Sequence, residues 1–371
     1  MRHSSPKRRT ASGGSVPGRA AKVAPDGEPE ETVAPLHVPA GDVTASPRFP
    51  PRHTSQVSAL IFVRDHGVIV LWLIMMGAFS IWAAPTFGTF SNLMLIFESA
   101  AITGTFAAGA AFGIQTGLLD LSLPGTAAVT GIVVAKLLLS GTPTALALLA
   151  GLAVGVAVGA INASLTLCGL NSLIVTIGMF SALAGLASVI SGGVPVTVTR
   201  LAFIGAATYA RVPGPVFVMA GVFLLGTLFM TQTRAGTRML AVGGDAGAAR
   251  RAGVRPAPYI VLGFILVSVC AAIGGVVIAA FTVSATPVPD PIILFQAITA
   301  VALSGMPFSG GRGSFPRVIV GALIIATISS ALVIKNIHPY WATVATGVLL
   351  IMALSVERIV NRAVTTRLVV Q

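Results

Sequence analysis

The chain has 371 residues, 55% hydrophobic and only 9% charged, against roughly 25% charged in ordinary soluble domains, which excludes water as the solvent for most of it. Net charge is +12, but the basic residues are spread between apolar runs rather than gathered on one folded face, so nucleic acid is excluded as a partner. Cys168 and Cys270 both lie inside apolar runs, which excludes a disulfide framework or a spaced metal cluster.

Residues 1–56 are rich in Pro, Gly, Ser and Thr, with Lys7, Arg8 and Arg9 early and Glu28, Glu30 and Glu31 later. Such a composition cannot bury enough apolar surface to fold. The first apolar run begins near Val68, too late for a secretory signal, whose apolar core falls within about the first 30 residues. Residues 1–66 are therefore expected to be an uncleaved, disordered cytoplasmic tail, residues 67–360 the transmembrane domain, and residues 361–371 a second cytoplasmic tail.

A helix rises 1.5 Å per residue, so about 17 to 25 apolar residues cross the hydrocarbon. That ruler predicts ten spans, near 68–84, 92–114, 121–139, 145–168, 172–191, 215–231, 258–283, 292–306, 317–335 and 340–356. The third is interrupted by Pro124 and the eighth is short. The expected fold is all-α and polytopic, with about ten transmembrane helices. Ten crossings divide five and five, the count an inverted repeat requires. The one echo, Asp120 to Pro124 against Arg312 to Pro316, has the wrong spacing for an inversion.

Lys and Arg gather in short cytoplasmic connections. The densest loop carries Arg234, Arg238, Arg250, Arg251 and Arg255 between the sixth and seventh spans. With the tail inside, that loop, Arg312, Arg317 and the end bearing Arg358, Arg362 and Arg367 all fall on the cytoplasmic side. Gly151, Gly155 and Gly159 form a small-residue stripe whose expected role is helix packing within the chain.

Four ionisable residues lie in or beside the spans: Glu98, Asp120, Lys136 and Asp290. A charge at the bilayer centre costs about 2.5–3.5 kcal/mol, so each requires a reason. Lys136 and Asp290 are near segment ends and reach the interface. Glu98 and Asp120 either line a polar pathway or serve as caps or a buried pair. Glu98, Gln115, Asp120, Ser122, Asn171 and Thr176 are the residues expected to line such a pathway.

Enzymatic patterns are missing. The five histidines fall in the tail or loops, no Gly-x-Ser-x-Gly elbow occurs, and none of the four lysines follows a glycine as a phosphate-binding loop demands. The stretch from Thr233 to Val254 is the most informative. Asp245 followed by Ala and Arg residues predicts a short capped helix, and a short polar helix between two spans is a handle for a soluble partner.

That stretch, from Thr233-Arg234 and Gly236 through Gly243-Gly244-Asp245 to Ala248-Ala249-Arg250 and Gly253-Val254, resembles the coupling loop of ribose-type ABC importer permeases. Three further blocks resemble the same family in the same order. They run from Gly104 to Thr116-Gly117 and Asp120-Leu121-Ser122, from Thr176-Ile177-Gly178 to Ser191-Gly192-Gly193, and from Leu303-Ser304-Gly305 through Ser309-Gly310-Gly311 to Pro339-Tyr340-Trp341. The resemblance covers about residues 90–360. Departures are Leu118 and Pro124 where the family usually has Gly, Ala184 where Arg is common, and Asp245 for Asn.

The resemblance implies a permease subunit, without enzymatic activity, that moves a monosaccharide or similar polar solute across the bacterial inner membrane, both termini cytoplasmic. It implies a second permease copy, cytoplasmic ABC ATPases that hold ATP and Mg, an extracytoplasmic solute-binding protein, and membrane lipid around it. This chain is expected to bind no cofactor or metal. The coupling-loop residues so implied are Arg234, Gly244, Asp245, Ala248, Ala249, Arg250 and Gly253. The alternatives are an ion-coupled secondary transporter using Glu98 and Asp120, or a related importer for branched-chain amino acids, nucleosides or a furanone signal. One consequence concerns the tail: deleting residues 1–56 should leave insertion and uptake at wild-type levels, and complete loss of uptake with normal insertion would contradict it.

Overall fold

The computed structural model describes the backbone of residues 54–369 and the side chains of residues 67–355 and Arg358. Most of the expected N-terminal tail, residues 1–53, lies outside the described residues, as do the side chains of Arg362 and Arg367. In chain order the elements are α1 (Thr54–Trp82), α2 (Phe90–Gln115), α3 (Leu123–Leu139), α4 (Thr144–Leu167), α5 (Ser172–Ser191), β1 (Val196–Thr197), α6 (Ala202–Gly205), β2 (Thr208–Tyr209), β3 (Val212–Pro213) and α7 (Gly214–Gln232). There follow α8 (Arg234–Gly244), α9 (Ala246–Arg251), α10 (Pro256–Phe281), β4 (Ser284–Ala285), α11 (Pro291–Leu303), α12 (Arg317–Ile334) and α13 (Tyr340–Val369).

Each of the ten predicted spans coincides with a helix. Six, namely α2, α4, α5, α7, α10 and α12, are long and apolar enough to cross a membrane. Residues Gly67–Trp82 of α1, all of α3 and α11, and Tyr340–Ser355 of α13 are shorter apolar helices. Two helices run past the expected spans. The backbone is helical from Thr54, inside the expected tail, because Ala59-Leu60-Ile61-Phe62-Val63 extend the apolar run backwards. At the other end α13 continues to Val369, so most of the expected C-terminal tail is helical.

Pro124 does not interrupt the third span. It occupies the first turn of α3, where the missing N–H would be unpaired in any case. The helix is short because its start is delayed until Leu123. That residue packs beside Gly109 and Cys270, six residues back from the end of α2, so the connection from Thr116 to Ser122 climbs into the bundle before α3 begins.

The centre is built by α2 and α10. Phe106 of α2 and Phe264 of α10 are fully buried, and the phenyl ring of Phe106 lies on Gly274. One apolar core joins α2, α7, α10, α11 and α12, and a second joins α3, α4, α5 and the far end of α10. Large apolar side chains such as Ile74, Leu149, Ile174, Leu225 and Ile351 point outward, the surface that lipid demands.

The glycine stripe works within the chain, as expected. A Cβ on Gly155 would lie 2.9 Å from the carbonyl oxygen of Ser268, and one on Gly159 would lie 2.6 Å from Cα of Ile265. Without side chains at these points, α4 lies directly on the α10 backbone, where dispersion and close packing replace the hydrophobic effect as the cohesive force.

Connections gather at two faces. At one, the N–H of Gly311 donates to the carbonyl of Gln115 at 3.1 Å and Arg238 Nη1 donates to the hydroxyl of Tyr259 at 3.0 Å. At the other, β1 pairs antiparallel with β4, Val196 opposite Ala285, and Arg200 Nη1 donates to the carbonyls of Leu138 and Thr142. The echo segments before α3 and α12 therefore meet at one face, with Gly117 against Gly310, and are not inverted counterparts. Gly159→Leu should cost about 1–3 kcal/mol by overpacking, and a thermal melt of the purified protein in detergent should show it; an unchanged midpoint would mean that α4 and α10 do not pack this closely.

Candidate functional site

Hydrocarbon offers no hydrogen bonds, so the non-helical segment between α2 and α3 must be satisfied by the protein itself. Gly117 N–H donates to the carbonyl of Ile114 and Leu118 N–H to that of Gly113, a helix end closed by a left-handed glycine at Gly117, φ +77°. Beyond it Asp120, 3% exposed, takes over. Its Oδ1 accepts from the backbone N–H of Ser122 at 2.8 Å and from the Ser122 hydroxyl at 2.6 Å. Asn162 of α4 donates through Nδ2 to Ser122 Oγ at 2.9 Å and reaches Asp120 Oδ2 at 3.5 Å.

Asp120, Ser122 and Asn162 thus form one buried group that sets where α3 starts and ties that start to α4. Thr126 extends it, donating to the Ser122 carbonyl at 3.1 Å. The Oδ1 of Asn162 has no partner. Asn162 is uncharged and escapes a search confined to ionisable residues; a polar amide inside an apolar span is the signal that would have found it.

Gln115 stands at a second junction. Its Nε2 donates to the Gly313 carbonyl at 3.3 Å, its own carbonyl accepts from Gly311, and its Oε1 is unpartnered. Three backbones meet here: the end of α2, the end of α8, and the connection before α12. A Cβ on Gly243 would fall on the carbonyl oxygen of Gln115, and one on Gly310 would lie 2.6 Å from the carbonyl oxygen of Gly243. Phe315 anchors the third strand of this junction, its ring 4.6 Å from that of Phe112 and 5.2 Å from that of Phe223.

The stretch between α7 and α10 forms two helices rather than the single one expected. Thr233 caps α8 by accepting from Gly236 N–H at 3.0 Å, and Asp245 caps α9 by accepting from Ala248 N–H at 2.9 Å. Asp245 is therefore able to stand where Asn is usual, since both accept at an N-cap. Gly236, Met239 and Val242 are buried on one face of α8. Outward lie Arg234, Gly244, Asp245, Arg250 and Gly253, while Ala248 is half-buried. Ala249 is turned inward, only 5% exposed, and so is part of the seat of α9 rather than its outer surface.

The remaining pathway residues stand apart. Asn171 is exposed and caps α5, accepting from Leu173 N–H at 2.9 Å. Thr176 is buried and donates within its own helix to Leu173; it lies one turn before Phe180, whose backbone packs on Gly125 of α3, and shares that face. Glu98 is half-buried in the other half of α2, lining a separate cavity with Arg211. Lys136 is exposed in the last turn of α3 and Asp290 caps α11, as expected. Among the described residues no cluster of His, Cys, Asp and Glu could hold a metal.

Residues 92–354 match the family described as branched-chain amino acid transport system, permease component. The chain is 31% identical over 306 residues to the D-allose transport system permease protein of Escherichia coli K12, covering 81% of this chain and 94% of that protein. It is 29% identical over 313 residues to the L-arabinose transport system permease protein of the same organism, covering 81% and 93%. Identity to its ribose import permease protein is 28% over 281 residues, covering 74% and 88%. No solved structure matches.

Two substitutions probe the two junctions. Asp120→Ala leaves Ser122 N–H and Oγ without their acceptor, about 1–3 kcal/mol for an unsatisfied buried group. Uptake should slow about tenfold while the protein still inserts, and a wild-type rate would return Asp120 to a local turn. Gly243→Val should separate α8 from the end of α2, lowering solute moved per ATP hydrolysed while ATP hydrolysis continues; an unchanged ratio would show that this junction transmits nothing.

Proposed function

The chain belongs to the family of branched-chain amino acid transport system permease components, and from its likeness to sugar permeases we propose that its cargo is a monosaccharide and that its α8–α9 face is cytoplasmic. It is a multi-pass permease subunit of an ABC importer and not an enzyme. The observation that carries the sugar reading is that relatives aligned over most of their length are sugar permeases. An ion-coupled secondary transporter is not favoured by this kinship.

In this reading ATP and Mg sit on separate ATPase chains that press on α8 and α9. The handle suits the task. Its outward surface is small and basic around Gly244, Arg250, Arg251 and Gly253, its inward surface is packed, and its end is locked to α2 and the α12 lead-in through Gly243 and Gly311. A push on α9 therefore reaches Gln115, and through the α2 end the segment carrying Asp120. A second copy of the chain completes the pathway, and an extracytoplasmic binding protein delivers solute to the face bearing β1 and β4. Lipid covers the outward apolar side chains.

The test is reconstitution with the ATPase and binding protein in liposomes, using labelled D-ribose, D-allose and L-arabinose. Uptake of at least one should need both ATP and the binding protein and survive an ionophore. Gradient-driven uptake without ATP would overturn the proposal. Reversing two exposed charges, Arg250→Glu with Arg251→Glu, should lower ATPase copurification and cut uptake about tenfold, roughly 1.4 kcal/mol of contact. Normal copurification would remove α9 as the docking element. Ala249→Glu is a poorer probe, because a charge forced into the seat of α9 disrupts the handle from within.

A further inference from the structure

The far half of α2 carries a feature that the junctions above do not use. Glu98 lies eight residues beyond Phe90, roughly 12 Å along the helix axis, well inside the span. Phe90 and Leu95 beside it are 55% and 57% exposed, so among the described residues no helix covers this face of α2, while α12 packs on another, Ser330 donating to Asn92 at 2.6 Å. A carboxylate facing lipid at this depth is unfavourable, and its surroundings must be aqueous or protein.

Arg211 lines the same cavity as Glu98 and is held by an unusual turn. The strands β2 and β3 pair with Tyr209 opposite Val212, leaving Ala210 and Arg211 as a two-residue turn with φ of +50° and +70°. Two left-handed residues are what such a turn requires, but the usual occupants are Asn and Gly. A bulky side chain there is unfavourable unless its neighbours enforce it, and such residues cluster at functional sites. The hairpin is enforced: Tyr209 hydroxyl donates to the Phe203 carbonyl at 3.0 Å, its ring meets that of Phe217 edge-on at 6.0 Å, and Gly214 N–H donates to the Ala207 carbonyl. Arg211 is thereby placed on the wall of an open cavity of about 580 Å³, lined also by Phe90, Ser91, Leu95, Glu98 and Thr208. The volume is that of a small-molecule site, roughly 300–1,000 Å³.

Glu98 and Arg211 line this cavity without an ion pair or hydrogen bond between them. Their unspent capacity is complementary: a carboxylate accepts from hydroxyl groups, a guanidinium donates to hydroxyl and ring oxygens in a fixed fork, and the Ser91 and Thr208 hydroxyls do both. The exposed ring of Phe90 offers a flat apolar face to the C–H side of a sugar ring. We propose that this cavity is the water-filled outer mouth of the solute path, where Glu98 and Arg211 receive a monosaccharide released at the β-strand face. The inference rests on the importer reading, and it adds Arg211, which lies between two predicted spans, as a binding residue.

Two measurements separate the site from that reading. In a background of Cys168→Ala and Cys270→Ala, Glu98→Cys and Arg211→Cys are treated with a membrane-impermeant, positively charged thiosulfonate from the outer side. Both should react, whereas Leu225→Cys on the outward surface of α7 should not; if Glu98→Cys is as unreactive as Leu225→Cys, the cavity is dry and the proposal falls. In liposomes with ATPase and binding protein, Glu98→Gln and Arg211→Gln should each lower uptake of the transported sugar at least tenfold, while loaded binding protein still stimulates ATP hydrolysis. Glu98→Asp and Arg211→Lys should recover part of the rate. Wild-type uptake in both Gln variants would overturn the binding role. If the wild-type chain moves none of D-ribose, D-allose or L-arabinose, the sugar reading fails and the labelling still judges the site. Protection of Glu98→Cys by leucine rather than by these sugars would overturn the sugar as its occupant.

Discussion

A chain in hydrocarbon has to satisfy every backbone N–H and C=O from within, and the structure turns on a segment that does so without a helix. Between Thr116 and Ser122 the chain leaves α2, turns back into the bundle and starts α3 beside the middle of α10. Asp120 makes this tolerable by accepting from Ser122 twice, and Asn162 ties the result to α4. The short length of α3, the position of Pro124 and the tie between the start of α3 and α4 follow from that arrangement.

The second dependence is on absent side chains. Where α2, α8 and the α12 lead-in meet, Gly243, Gly310 and Gly311 bring backbones into contact that any Cβ would prevent. Backbones packed this tightly have little room to yield, so a displacement of α8 and α9 passes to α2 rather than dissipating in side-chain rotamers. An element built for force transmission is expected to have a rigid inner seat and an adaptable outer surface. Buried Met239, Val242 and Ala249 supply the seat, and exposed Arg250, Arg251 and Gly253 the surface.

The two ends of α2 thus have opposite chemistry. The end near Gln115 is packed, glycine-lined and locked to its neighbours, whereas the end near Phe90 leaves one face open and carries Glu98, which lines a cavity with Arg211. Helices with one locked and one open end suit alternating access, in which a packed element rocks about a fixed site. In this chain the locked end lies on the face bearing the arginine-rich handle.

Much of the fold was legible in the sequence, because span length and apolar composition are local quantities set by the thickness of the hydrocarbon. The ten spans, the capped helix after Asp245, the packing role of Gly151, Gly155 and Gly159, and the end positions of Lys136 and Asp290 all follow from such local rules. Hydropathy could not show which polar residues meet. Asp120 and Asn162 are 42 positions apart, and their contact exists only because α4 returns along α3. Nor could it show that Ala249 faces inward, that Gly243 lies on Gln115, or that Arg211 lines a cavity with Glu98. Those facts depend on which backbones cross, and crossing is decided by packing among distant small residues, a property of the assembled bundle rather than of any one segment.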